Sequence, residues 1–474
     1  MLALNSKFLK SLSILLLAGG CASSGSPLAV VRNEVQPPIA VTPHIPVDAA
    51  VGQDAKLASS PPSVAPVQLV THEASDSSDA LHGFELLARE RNPRLIRLHH
   101  EYQAALAKSR YADKLPDPRF GANIFGDPIE TAAGSQRANM TFSQAVPWIA
   151  RLRADEQRAI FDAYAIHAEL EAETLRVEAA VRTQWYRLYV LEKQIEIAVA
   201  NQQLLTSLID VANARIATGA ASQGDVLLGT LELSQLEERL LTLRRQRQGT
   251  VAEFNRLLAQ SAETPIASPE RIHSVMPTMD TSELTQIALH SQPEIEAAKM
   301  RTQATRWGVE VARLMRRPEF MLSASYYPTD NNRPPSNVVD VGQDPWALGA
   351  QISIPIWRDK YDAIEDEALW KHQAAHNTVE ELSDRYASLI VDLVAEAKRA
   401  QETAELYEST ILPQAQQTLK ADQESYSNGA VEFDRVIRDY RNLLTLEIGY
   451  HQAIGDMATA IAKIYQTTGV RTGP

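Results

Sequence analysis

The sequence predicts a mainly helical chain that carries a few membrane-type β-strands and is built as two tandem repeats. Residues 148–218 contain neither Gly nor Pro. Both residues break helices, so the run reads as one helix of ~105 Å at about 1.5 Å per residue. Shorter stretches alternate apolar with small or polar residues, the period of a strand. Patterns in the first half return about 200 positions later, too long a period for a solenoid unit and suited to a duplicated domain half.

Composition bounds the rest. The chain has 474 residues, a net charge of −13 and only 6% aromatic residues. Sparse aromatics suit helices more than sheets, and the negative balance argues against nucleic acid or anionic lipid as an electrostatic partner.

Residues 1–20 read as an export signal. Lys7 and Lys10 precede an apolar run at 12–18 that is too short to span a bilayer. Cys21 is the only cysteine and follows Leu17-Ala18-Gly19-Gly20, a pattern similar to a bacterial lipoprotein signal with one extra Gly, which marks Cys21 as a candidate lipidation site. Segment 21–80 is rich in Pro and Ser, and its prolines at 27, 37, 38, 43, 46, 61, 62 and 66 predict an extended or disordered linker.

The first repeat is expected at 81–260 and the second at 281–469, joined by a linker at 261–280 and followed by a tail at 470–474. Asn92-Pro93 returns as Gln292-Pro293, Pro118-Arg119-Phe120 as Pro318-Glu319-Phe320, and Val146-Pro147-Trp148 loosely as Ile354-Pro355-Ile356-Trp357. Thr218-Gly219-Ala220 returns as Asn428-Gly429-Ala430. Each repeat reads helix, strand, strand, long helix, turn, helix. The downstream part of the first long helix has steps of four and three through Val177, Val181, Gln184, Leu188, Leu191, Ile195, Ala198, Gln202, Leu205, Ile209, Ala212 and Ile216, a heptad seam that calls for partner helices. In the second long segment Pro413 is expected to kink or break the helix.

The strands are clearest in the second repeat. Trp346, Leu348, Ala350 and Ile352 alternate with Ala347, Gly349, Gln351 and Ser353, and Phe320, Leu322, Ala324 and Tyr326 with Met321, Ser323 and Ser325. In the first, Ala138, Met140, Phe142 and Gln144 alternate with Asn139, Thr141 and Ser143, while 120–125 matches more weakly. A transmembrane barrel strand shows this alternation, and so does a strand of a soluble sandwich. Four strands cannot close a barrel alone, since the smallest have about eight, so a pore requires neighbouring chains. A coiled-coil tether or adaptor without a pore is the alternative, and it would need no strands.

The repeat, the Pro116-Asp117-Pro118 entry to the first strand, the Val146-Pro147-Trp148 exit and the two glycine turns resemble the TolC-like outer-membrane factors of tripartite efflux and type I secretion systems. The strand-edge motifs are most similar to the heavy-metal cation efflux branch. The resemblance implies a homotrimer whose twelve-stranded β-barrel in the outer membrane continues as a twelve-helix periplasmic tunnel. It also implies a lipid-anchored export duct for small molecules or metal cations in a Gram-negative bacterium, served by a periplasmic adaptor and an RND-type inner-membrane pump, with no cofactor and no enzymatic activity.

Functional residues follow from the resemblance at the turns, which in the family form the tip that meets the adaptor. Here they carry Arg215, Gly219 and Ser222, and Tyr426 and Gly429; Gly at each turn and Ser222 beyond the first are also plain capping residues. Six and nine residues past the second turn some relatives place carboxylates, but this chain has Arg435 and Arg438, with Asp434 and Asp439 adjacent. These four are the periplasmic gate candidates. No phosphate loop or Gly-x-Ser-x-Gly occurs, His99-His100 read as ordinary helix residues, and Met140, Met315 and Met321 as wall or core residues. Between Asp359 and Glu424 carboxylates outnumber basic residues by more than two to one, which suits either a cation-favouring lining or a solvated outer face.

Overall fold

A computed structural model describes residues 77–470, apart from 273, 332–336, 338 and 340. The expected signal segment, Cys21 and most of the Pro-rich linker lie outside the described residues, as does the tail from 471. Helices α1 (Ser77–Arg91) and α2 (Pro93–Ala112) lead into strands β1 (Arg119–Thr131) and β2 (Gly134–Val146), then α3 (Ile149–Ala217) and α4 (Gln223–Leu257). The order recurs with α5 (Thr281–Ser291), α6 (Pro293–Leu314), β3 (Glu319–Tyr326), a two-residue β4 (Thr329–Asp330), β5 (Trp346–Ser353), α7 (Arg358–Leu406), α8 (Leu412–Ser427) and α9 (Phe433–Thr468).

Helix α3 is uninterrupted over 69 residues. Pro147 and the extended Trp148 set its start, and Gly219 at φ +73° ends it. Its heptad seam is buried or half-buried throughout, with Val181, Leu188, Ala198, Leu205 and Ala212 fully enclosed. Pro413 does not break the second long helix. One turn of π-helix, Tyr407–Ile411, precedes it, and Pro413 sits in the first turn of α8. A proline ring clashes with the carbonyl four residues back and offers it no N–H, and a wider turn there relieves both problems.

The structure departs from the expected layout in three places. The helix expected from residue 81 begins at Ser77, inside the segment read as linker. Each repeat opens with two helices rather than one, because the Pro of Asn92-Pro93 and of Gln292-Pro293 starts a new helix. The linker between repeats is tied down: Ile266 is buried in the core with Phe254 and Leu258, and Asn255 donates to the carbonyls of Ala262 (3.3 Å) and Thr264 (2.8 Å).

The sheet is antiparallel in the order β1-β2-β3-β5, with β4 pairing β2 at Ser135 and Gln136. Its register sorts side chains by polarity. Phe120 pairs Phe142, which pairs Ala324, which pairs Leu348. One residue along, Gly121 pairs Thr141, Ser325 follows and then Ala347. Side chains alternate faces along a strand, so the first row lies on an apolar face and the second on a small, polar one.

Helices pack below the sheet in the same lateral order. Next to the sheet α2 packs on α3, α3 on α6 and α6 on α7; farther away α4 packs on α3, α3 on α9, and α9 on both α7 and α8. The distal core holds Leu205, Leu236, Leu240, Phe433, Val436, Ile437 and Tyr440.

Candidate functional site

Two regions hold the features singled out in the sequence: the sheet, and the turns at the far ends of the long helices. On the sheet the apolar face is bare. Ile124 is 86% exposed, Leu348 76%, and Phe120 and Trp346 71% each, so nothing among the described residues covers it. Among the described residues neither the outer edge of β1 nor that of β5 has a strand partner. Strands β1 and β2, of 13 residues each, have the reach of barrel strands, which need about 9–11 residues to cross a bilayer, and β3 and β5, of 8 residues each, fall just short of it. Trp357 and Ile356, just past β5, are also exposed. No helix among the described residues is long and apolar enough to cross a membrane.

The two turns form one assembly. Gly219 and Gly429 both adopt left-handed backbones, at φ +73° and +78°, which Gly reaches without the Cβ clash of other residues. Arg215, at the end of α3, donates through Nη1 to the Tyr426 carbonyl at the end of α8 and through Nη2 to the Ala220 carbonyl at 2.9 Å. Its guanidinium lies 4.3 Å from the Tyr426 ring centre, a cation–π contact. The Tyr426 hydroxyl reaches Asp225 on α4 at 3.4 Å, and its ring meets Phe433 at 5.2 Å. The structure thus brings Arg215, Tyr426 and both turns together. Ser222 occupies the position before α4 but does not cap it through its side chain; its hydroxyl donates to Asp225 at 2.7 Å instead.

The four gate candidates do not converge on one point. Arg438 and Asp434 pair along α9 at 3.3 Å, both exposed. Arg435 turns to α8 and donates to buried Asp422 at 2.6 Å. Asp439 lies beside the same Asp422. Burial and the neighbouring Asp422 push the Asp439 carboxyl above the usual range, while Asp439 and Arg435 hold Asp422 below it. Below its pKa, Asp439 is therefore the donor of a carboxyl–carboxylate pair. A little farther from the tip Arg441 bonds buried Glu232 of α4.

Sequence reading missed Asp225, Asp422, Glu232 and Arg441. Asp225 had a local signal, an acid three residues after Ser222 at a helix start. The other three are joined only by packing. In the acidic segment, Asp362, Glu365, Glu367 and Glu396 are paired on the protein's surface with Arg316, Arg313, Lys371 and Arg399. His99 and His100 have ring centres 6.2 Å apart, Met140 lies on the sheet's apolar face and Met321 on the other. Among the described residues no three His, Cys, Asp or Glu side chains are grouped to hold a metal.

Residues 284–470 match the family described as outer membrane efflux protein. No curated protein matches the chain. Its fold is shared with VceC, an outer membrane protein of Vibrio cholerae, at a TM-score of 0.69 and 18% identity over 83% of this chain and 96% of that one. A crystal structure of CusC, described in terms of transmembrane channel formation, gives 0.71 at 16% identity over 86% and 97% of the two chains. The open state of the Neisseria gonorrhoeae MtrE outer membrane channel gives 0.67 at 17% over 82% and 89%. By sequence over residues 284–470, and by fold over more than four fifths of its length, the chain resembles the outer membrane efflux proteins, the TolC-like outer-membrane factors.

Proposed function

We propose that the chain is the outer-membrane exit duct of a tripartite efflux system. Three copies close a twelve-stranded barrel with the bare apolar face toward lipid and the face of Gly121, Thr141, Ser323, Ser325 and Gly349 toward water. The helices continue it as a twelve-helix periplasmic tunnel, and the tip built from Arg215, Gly219, Ser222, Tyr426 and Gly429 meets a periplasmic adaptor that couples to an inner-membrane pump, an RND-type one by the resemblance. Small molecules or metal cations pass without a cofactor or chemical step. Lipid on Cys21 adds a second hold on the membrane.

One observation carries this reading: a sheet sorted into two faces, with its apolar side uncovered and both edges unpaired among the described residues. A soluble tether would leave that surface in water, where an exposed apolar patch and open strand edges drive aggregation. Purified in detergent, the protein is expected to be a trimer that conducts ions in planar bilayers, and mass spectrometry of its N-terminus to find lipid on Cys21. A water-soluble monomer without conductance overturns the duct.

A further inference from the structure

We propose that successive copies in the assembly are joined, well above the tip, by a seam in which Leu241, Arg244 and Arg245 of α4 meet Glu402, Glu405 and Leu406 of α7 on the next copy. This deepens the trimeric reading above and rests on it.

Helix α4 has two heptad stripes. The first, Leu236, Leu240 and Leu243, is buried against α3. The second runs through Leu227, Leu231, Ser234, Glu238, Leu241 and Arg245 about 200° around the helix, and its leucines are 64%, 53% and 66% exposed. A stripe stepping by three and four on the far side of a packed helix calls for a second neighbour. None is present among the described residues, where α4 is the lateral edge of its helical layer.

The opposite edge is formed by α7 and α8. Along α7 the buried line passes through Ala397, Ala400 and Ala404. Glu402 and Leu406 lie about 200° from Ala400 and Ala404 respectively and so face away from the chain. Leu406 is 51% exposed. Cyclic closure of identical copies brings one edge of each to the other edge of the next.

Height matches as well. Rotation about an axis along the tunnel keeps each residue at its level, so only residues at one height can meet. A line of contacts fixes that height from α4 to the turn that follows α7: Arg247 of α4 bonds Glu192 of α3 at 2.6 Å, Tyr189 of α3 bonds His451 of α9 at 3.1 Å, and Gly449 of α9 lies against Tyr407, the neighbour of Glu408, so closely that an added Cβ would come 2.9 Å from the Tyr407 hydroxyl. Arg244 and Arg245 lie within one turn of Arg247, and Glu402, Glu405 and Leu406 within two turns of Glu408.

Charge is complementary. Arg244, Arg245 and Glu402 are exposed and make no ion pair among the described residues, and Glu405 accepts only from Gln401 of its own helix, at 2.9 Å. Two arginines facing two glutamates beside a leucine contact suit a second copy of this chain, and they oppose a partner carrying the same charge on both edges.

The test uses the full-length protein with Leu241→Cys and Leu406→Cys together, treated with a short bismaleimide. Covalent dimers and trimers after denaturation, absent from either single variant with Cys21 in place, are the expected result. A detergent-stable trimer that does not crosslink overturns the seam and leaves the trimeric duct standing; a monomer overturns both. Separately, Arg244→Glu with Arg245→Glu should lower the temperature at which trimers dissociate, and Glu402→Arg with Glu405→Arg should restore it. Failure of the second pair to rescue overturns the ionic pairing.

Discussion

Asn92 and Gln292 each precede a proline and close their own half of the chain in the same way. Asn92 caps α2 by accepting from the Arg94 amide at 3.0 Å and donates to the Leu257 carbonyl at the end of α4, also at 3.0 Å. Gln292 donates to the carbonyls of Gln466 and Thr467 at the end of α9. Asn92→Ala removes a cap and strands a carbonyl, so a loss of roughly 2–3 kcal/mol in folding stability is expected from denaturant titration. Asn92→Ser keeps a capping oxygen and should lose chiefly the part due to the carbonyl. At the turns, a Cβ on Gly219 would meet nothing within 4 Å, whereas one on Gly429 would lie 3.4 Å from Arg215 Nη2. Both Val substitutions bear left-handed strain of about 1–2 kcal/mol. Gly429→Val should in addition disturb Arg215, so it is expected to reduce export and adaptor crosslinking more than Gly219→Val, with heat-resistant trimer retained in both. Asp439 gives a pH signature. Its folded pKa is raised, so the native state holds a proton that the unfolded chain releases, and the stability it contributes falls as pH rises from the ordinary carboxyl value through the raised one. Asp422 has the opposite sign and loses its contribution only as acid protonates it. Asp439→Asn should therefore flatten the decline above pH ~4 and raise the melting temperature at neutral pH, as melts across that range would read.

At the scale of elements, the sheet offers the sharpest contrast between its faces. Leu348→Arg places a charge on the apolar side, where a bilayer midplane position costs about 2–4 kcal/mol. It should reduce membrane-inserted trimer, while Ser325→Arg on the other face should leave insertion intact and change ion selectivity. Strand β5 was legible because eight residues alternate without a break. β1 was less so: its register shifts between Ile124 and Ile129, where Gly126, Asp127 and Pro128 interrupt the alternation, and pairing with β2 resumes beyond. Helix α3 was legible because its evidence is local, an absence of breakers plus a repeating seam. The π turn was not, since a proline in a helical run signals trouble without saying how the preceding turn resolves it. The union of the two tips lay beyond sequence reading too, because Arg215 and Tyr426 are 211 positions apart and each is explained locally by the turn beside it. Likewise Arg435 and Arg438 stood out against the family pattern, but only packing reveals that Arg435 belongs to Asp422, whereas Arg438 takes Asp434 of its own helix, four residues back.

For the whole molecule, the two repeats are joined along their length and again at the tip, and the two sets of contacts differ in kind. The repeats share a long interface in which α3 lies against α6 and then α9, and this should hold whether the far end is narrow or wide. At the tip itself the α3–α4 turn and the α8–α9 turn are held by Arg215 on Tyr426, by Tyr426 on Asp225 and, deeper, by Arg441 on Glu232. These are few and partly exposed, so each is worth on the order of 1–2 kcal/mol rather than the energy of a core. Arg215 carries the largest share, because one guanidinium makes a cation–π contact and two carbonyl bonds. Arg215→Ala is therefore expected to leave trimer yield unchanged while the α8–α9 hairpin separates more readily from α3–α4, raising mean single-channel conductance in planar bilayers. Tyr426→Phe keeps the ring and the backbone carbonyl and loses only the hydroxyl bond, so its effect should be smaller. Equal conductance in wild type, Arg215→Ala and Tyr426→Phe would mean that the tip contacts fix local turn geometry and do not restrain the opening of the duct.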